Sequence, residues 1–321
     1  DQFPLTFENI AAMQQQDQAM LPLADQDDFE LQEFQGIELI CKRHQDQWKI
    51  VLPEALIEPT LAWYHIVLGH CGITRMETTI LNHLWFHNVR QRIVDYINEC
   101  NHCARYKYNG PGYGHLPPRN DTASPWEDVA VDSIGPWTVP TQAGPQLQIK
   151  ALTMVDVTTT LSECVRIENN TASHAALKFS NNWLARYPRP IRVIHDQGTE
   201  FVGFRFQELL RQEGIQPVPT SVRNPQANAV CERLHKTVED SLNTYLRHEV
   251  PEDVATAADL VDSLIAAAQR AIRSAVHSTM KISPGSLVFH RDMMLPIPIM
   301  TDYNLLRERR QALIDYNNMR E

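Results

Sequence analysis

Alternating apolar residues in DVAVDSI, LQIKALTMVDV and LSECVRI predict three β-strands in quick succession between residues 128 and 167. A helical run, SHAALKFSNNWLARY, follows. Then come a short strand, IRVIHD, a helix, FRFQELLRQEG, another strand, IQPVPTS, and a long helix over residues 227–248. The order β-β-β-α-β-α-β-α predicts a mixed sheet with helices packed against it. A further helix is predicted over 253–276, where Val254, Ala258, Val261, Ile265, Ala268 and Ile272 are spaced for one buried face. The last segment, 304–320, reads as a polar helix with Arg307, Arg309 and Arg310 clustered.

Upstream the pattern changes. Residues 1–60 read as a small mixed region, helical near 7–21 with strand-like pieces at 36–41 and 47–52. Residues 61–108 look helical throughout, interrupted at Gly69 and Gly72. The stretch NGPGYGHLPPRND, rich in Gly and Pro, marks a linker. The expected organisation is therefore an N-terminal extension (1–60), a small helical domain (61–108), a linker (109–121), a mixed α/β core (122–300) and a C-terminal helix (301–321). The missing initiator Met fits a segment cut from a longer precursor.

Charge modifies this picture. The net charge of −10 is set mainly by residues 1–60, with 12 acidic and 3 basic groups, whereas residues 61–120 carry 3 acidic and 6 basic. An acidic accessory region beside a near-neutral remainder does not forbid nucleic-acid binding, but any DNA contact must come from a local basic face. No apolar run approaches the ~20 residues of a membrane span, and the N-terminus lacks the features of a signal peptide. The six cysteines are scattered apart from one close pair, which is no disulfide framework and fits a reducing, intracellular setting.

That pair, Cys100 and Cys103, follows His65 and His70. Zinc takes four nitrogen and sulfur ligands in a tetrahedron, and Cys-x2-Cys at a helix end lets both sulfurs face one ion. The two histidines differ by about 140° around a helix, so the chain must turn at Gly69 to bring His70 back. A helical domain of this size has too little apolar burial to be comfortable alone, and zinc would supply the missing stability. Spacing alone leaves His83 and His87, one helical turn apart, as a competing pair.

Three acids form a second candidate centre. Asp132 is expected at the end of a strand, Asp196 closes RVIHD before a Gln-Gly turn, and Glu232 lies near the start of the long helix. Mg²⁺ is a hard ion that takes oxygen ligands, and two such ions about 4 Å apart can activate the attacking oxygen and stabilise the leaving oxygen in phosphoryl transfer. Taken singly, each acid is better read as structural. Two strand ends and a helix of one mixed sheet are what make their convergence plausible chemistry.

At these residues the chain resembles the integrases of gypsy-class LTR retrotransposons, relatives of retroviral integrases and RNase H-like DNA transposases. His65, His70, Gly72, the Trp85-Phe86 pair, Cys100 and Cys103 are similar to the family's zinc domain, with Thr74 one position from its usual place. The resemblance implies that His83 and His87 are not ligands. VAVDSIGPW, VIHDQGTEF and NPQANAVCERLHKTVED resemble the acidic core motifs, and SPGSLVFHRDMMLP the segment that closes the core. Ala229 and His290 depart from glycines common in the family.

The resemblance implies a helical HHCC zinc-binding domain followed by an RNase H-like core with a mixed five-stranded sheet. It further implies structural Zn²⁺ on His65, His70, Cys100 and Cys103, and catalytic Mg²⁺ or Mn²⁺ on Asp132, Asp196 and Glu232. The partners it implies are double-stranded DNA (element ends and target) and further copies of the chain in a homo-multimer, acting in the nucleus after assembly in cytoplasmic particles. It implies too that a C-terminal domain normally follows. Lys236, one turn after Glu232, is a candidate phosphate contact, with Arg233, Asn224 and Gln226 as further DNA contacts. Asp156 reads as structural, Cys231 as lacking a base partner, and Trp137 and Trp183 as core. The expected activity is 3′-end processing and strand transfer. The rivals are a non-joining RNase H-like nuclease and a catalytically silent module retained for DNA binding or assembly.

Overall fold

The structure is a computed structural model that describes residues 5–23, 26–44, 47–106, 124–142, 144–219, 235, 238–239, 250–277 and 280–294. The chain divides into two compact units, residues 1–107 with 275–283, and residues 108–274 with 284–321.

In the first unit, α1 (Phe7–Gln16) opens at Thr6, whose hydroxyl accepts the Asn9 N–H at 3.1 Å. Strands β1 (Phe29–Phe34), β2 (Ile37–His44) and β3 (Gln47–Val51) form an antiparallel meander. Gln35 and Gly36 turn β1 into β2 with positive φ at both, as two-residue hairpin turns of matching twist require. Strand β1 is absent from the pattern reading because FELQEF is acidic and largely exposed beyond Phe29. Helices α2 (Glu54–Val67) and α3 (Ile73–Ile80) precede the short β4 (Leu84–Trp85), and α4 (Val89–Glu99) and α5 (Asn101–Tyr106) complete the segment.

A boundary at residue 60 falls inside α2. The sheet also crosses it, because β4 pairs in parallel with β3 through Ile50↔Leu84 and Val51↔Trp85. Backbone hydrogen bonding thus makes the extension and the helical segment parts of one unit. Lys42 reinforces the join, its ammonium standing 4.3 Å from the Phe29 ring centroid and 4.6 Å from that of Trp85.

Gln14 is the buried polar pin of this unit. Its amide oxygen accepts the Ile40 N–H at 2.8 Å, and its amide nitrogen donates to the carbonyls of Ile40 (3.1 Å) and Val51 (2.7 Å). Gln14→Leu keeps the bulk but strands those buried backbone groups. It is expected to lower stability by about 1–3 kcal/mol for each group left unsatisfied, read as an earlier urea midpoint for this unit.

The second unit is built on β5 (Asp128–Val139), β6 (Leu147–Asp156), β7 (Ser162–Ile167), β8 (Arg192–His195) and β9 (Gln216–Pro219). Their order in the sheet is β7-β6-β5-β8-β9. The first three run antiparallel and β8 and β9 join in parallel, so the sheet is mixed and five-stranded. Side chains alternate between two cores. Ala130, Ala151 and Val155 pack with Val261, Ile265 and Ala268 of the helix Val254–Ser274, and Val238 joins them. Val129, Val131, Leu152 and Met154 pack on the opposite face with Phe179, Trp183, Phe201 and Phe206. These last residues come from α6 (Ala172–Phe179), the π-helical turn after it, α7 (Thr199–Val202) and α8 (Phe204–Gln212). The helix Val254–Ser274, α9, and the short α10 (Pro284–Phe289) follow.

Trp183 is fully buried and Trp137 packs at the margin of the other core, as expected. Asp156 closes β6 and accepts from the Trp126 N–H and from both the N–H and hydroxyl of Thr159. Burial raises its carboxyl above the ordinary range against the pull of these bonds, which suits a structural acid. The β7 edge is not left open. Gln269 of α9 accepts the Cys164 N–H and donates to its carbonyl, while Arg273 donates to the Ser162 carbonyl. No helix among the described residues is long and apolar enough to cross a membrane.

Candidate metal centres

Register brings the first two acids together. Strands β5 and β8 are parallel neighbours, paired from Asp128↔Arg192 through Val131↔His195. The next residues along are Asp132 and Asp196. At the start of this pairing the Arg192 guanidinium grips the Asp128 carboxylate through two bonds, at 2.6 and 2.7 Å. Asp132 does not end its strand as expected. Strand β5 continues to Val139 past an irregularity between Ile134 and Trp137, so Asp132 sits mid-strand, while Asp196 follows the last residue of β8. Both are half-buried.

A backbone turn shapes the Asp196 side. The Asp196 carboxylate accepts the Gly198 N–H at 2.9 Å, and Gly198 opens α7. A β-carbon on Gly198 would lie 2.9 Å from an Asp196 oxygen and 2.9 Å from a Glu200 oxygen, so a larger residue there would push one or both carboxylates aside.

Beside Asp132, Thr153 stands opposite on β6 and is fully buried. Its hydroxyl donates to the Asp132 carbonyl at 3.0 Å and lies 2.8 Å from Nε2 of His235. A hydroxyl has one proton to give, so the imidazole donates in the second bond. Burial pushes His235 down to about 4, which keeps the ring neutral at physiological pH. Thr153→Val removes the hydroxyl without changing the shape. It is expected to cost about 1–3 kcal/mol, measured by denaturant unfolding, because the ring and the carbonyl lose their partner.

Glu232, and with it Arg233, Lys236, Asn224 and Gln226, lies outside the described residues. Of this helix, His235, Val238 and Glu239 are described, all helical, with Val238 fully buried.

The second centre lies in the first unit. Helix α2 carries the buried His65 in its last turn and ends at Val67. Gly69 and His70 then take left-handed backbone, φ 62 and 55, and the His70 N–H returns to the His65 carbonyl at 2.7 Å. The expected turn at Gly69 is therefore present. Cys100 caps the end of α4, and Cys103 lies on α5. The ligand atoms of His65, His70, Cys100 and Cys103 all lie within 4.8 Å of one another. His65 Nε2 to Cys103 Sγ is 3.2 Å, and His70 Nδ1 is 3.5 and 3.9 Å from the two sulfurs. An N–S edge of a zinc tetrahedron is about 3.6 Å, so donor type and spacing both fit that ion. His83 does not join this group; its ring lies 2.8 Å from the Asn82 amide.

Sequence reasoning missed Ser133, Thr153, Glu200 and His235. Signals existed for two of them: Glu200 stands four residues after Asp196, and His235 three after Glu232.

A two-His, two-Cys cluster in the first unit and paired acids on the mixed sheet of the second match the expected zinc-binding domain and core. Family models agree: that of the integrase zinc binding domain matches residues 52–109, and that of the integrase core domain matches 132–225. The first span holds all four clustered residues, and the second begins at Asp132. The chain thus carries an integrase zinc-binding domain followed by an integrase core domain of RNase H-like fold, and is homologous to the Tf2 transposon polyproteins.

Tf2-3 and Tf2-4 polyproteins of Schizosaccharomyces pombe are 24% identical over 233 residues, which is 70% of this chain and 16% of each polyprotein. The chain therefore spans under a fifth of the length of these relatives. Among solved structures, the catalytic core domain of BIV integrase is similar at 19% identity over 51% of this chain and 94% of that one, with a TM-score of 0.39. A chain of the simian T-cell lymphotropic virus intasome is similar at 15% identity, covering 74% of this chain and 75% of that one, with a TM-score of 0.48.

Proposed function

We propose that this chain is the integrase segment of a retrotransposon polyprotein, which trims the 3′ ends of the element's DNA and joins them to target DNA at one divalent-metal site. The observation that carries this reading is the juxtaposition of Asp132 and Asp196 by the β5–β8 register. Carboxylate oxygens on adjacent strands are the donor set that Mg²⁺ or Mn²⁺ prefers. When bound there, such ions activate the attacking hydroxyl and offset charge on the leaving oxygen.

Glu232 is the third acid of the proposal. His235 is bonded to Thr153, the cross-strand partner of Asp132. Glu232 stands three residues before His235 in the sequence, a spacing close to one helical turn. Lys236 and Arg233, with Asn224 and Gln226 ahead of them, are proposed to hold the DNA backbone beside the acids. The fixed carboxylates would hold the ions in place, and through them the hydroxyl and the scissile phosphate would be oriented. No side chain acts as a nucleophile, since water or a DNA 3′-hydroxyl attacks directly.

Zinc on His65, His70, Cys100 and Cys103 is proposed to be structural. All four ligands are protein groups, which is the closed arrangement of structural sites. Joining two DNA ends together calls for more than one copy of the chain, and the proposed place of action is the nucleus.

The deciding experiment incubates zinc-loaded protein with oligonucleotides matching the element ends, a target duplex and Mn²⁺. Joined products of target-plus-end length are expected. Cleavage without joining would favour a nuclease, and neither product despite tight DNA binding would favour a silent module.

A further inference from the structure

Glu200 is a carboxylate only 7% exposed, on the first turn of α7. Taking such a group out of water is costly unless a cation or several donors compensate. Among the described residues one donor is present: the Ser133 hydroxyl, at 2.9 Å from one oxygen. Among the described residues no lysine, arginine or histidine pairs with Glu200 or with Asp196.

The position of Glu200 is specific. Ser133 directly follows Asp132 and alternation turns it to the opposite face of the sheet, where α7 packs. The other Glu200 oxygen and an Asp196 oxygen would each lie 2.9 Å from a β-carbon built on Gly198, so both carboxylates reach the space beside this glycine. One side chain thus meets the Ser133 side chain next to Asp132 and approaches the turn that holds Asp196. Two carboxylates share a glycine there with no protein cation between them among the described residues.

We infer that Glu200 is a positioning residue of the acidic centre, an outer carboxylate whose charge is balanced by the divalent cation held by Asp132 and Asp196. The inference rests on the metal reading above and adds a fourth acid to it. Glu200 is not a ligand in this assignment. It acts through Ser133 and the Asp196 turn, and it raises the attraction of the pocket for a cation at the expense of the metal-free fold. Outer groups of this kind are worth 10–100-fold in metal affinity.

The test uses Glu200→Gln, which retains an oxygen to accept from Ser133 and loses only the charge. Zinc-loaded protein, dialysed free of other divalent ions, is titrated with Mn²⁺ by calorimetry, and its thermal midpoint is measured with and without Mn²⁺. The expected result is Mn²⁺ binding at least about 10-fold weaker, a metal-free midpoint equal to or above that of the parent, and a smaller rise on adding Mn²⁺. A merely structural brace predicts the reverse: a lower metal-free midpoint with the Mn²⁺ increment intact. That outcome, or Mn²⁺ affinity within threefold of the parent, overturns the inference. Asp196→Asn runs in parallel. If it binds Mn²⁺ as the parent does, the metal centre itself is wrong, whereas loss in Asp196→Asn with none in Glu200→Gln removes the role of Glu200 alone.

Discussion

Asp196→Asn is expected to cut strand transfer by at least about 100-fold while DNA binding changes little. The asparagine keeps an oxygen that can accept the Gly198 N–H, so the turn into α7 survives. What disappears is one negative charge at the point where β8 delivers it next to Asp132. Asp132→Asn should behave alike, since its backbone is anchored independently by the ladder and by Thr153. The two variants together should be little worse than either alone, because a metal site missing one of its acids is already crippled. Gel-based joining assays with Mg²⁺ and Mn²⁺, paired with fluorescence anisotropy on the same duplex, would check both halves. Joining at near-parent rates by either variant would rule out the acidic centre.

The second large effect concerns zinc. Stripping the ion, or replacing Cys103 by Ser, is expected to unfold the segment from α2 to α5. Zinc binding by small domains contributes on the order of 10 kcal/mol, comparable to the entire stability of an ordinary domain. The sulfurs and imidazoles hold the end of α2 to the junction of α4 and α5. Without the ion, the four side chains lose the common centre that draws them together. Strand β4 lies within this segment and completes the sheet with β3, so the damage should spread to the acidic N-terminal strands. Circular dichroism during chelator titration, with zinc counted by atomic absorption, should show helix loss in step with loss of one zinc per chain. Unchanged helicity in the zinc-free protein would refute a structural role.

How much of this was legible beforehand varies by element. The core strands were, because DVAVDSI, LQIKALTMVDV and RVIHD alternate cleanly and each face has its own core. The two cysteines and the turn at Gly69 were also legible, but spacing left His83 and His87 in competition with His65 and His70, and the family resemblance made the choice. Strand β1 was hidden by its acidic, exposed face, and β4 by its length of two residues. Both exist through partners elsewhere in the chain, which periodicity does not see. The division at residue 60 fails to match for the same reason. Asp132 was assigned a strand end because apolar alternation weakens after it, yet the backbone of β5 goes on pairing with β6 as far as Val139. Thr153 looked like an ordinary strand threonine, and its meaning depends on a cross-strand contact that has no signature in spacing.

The Asp128–Arg192 clamp works as a ruler. Asp132 lies four positions after Asp128, and Asp196 four positions after Arg192. Those two equal intervals, and not the much longer stretch of chain between the acids, determine where the carboxylates meet. Lengthening a surface loop between the strands is therefore tolerable. A single residue inserted or deleted inside either interval moves one acid along its strand and turns it to the other side of the sheet.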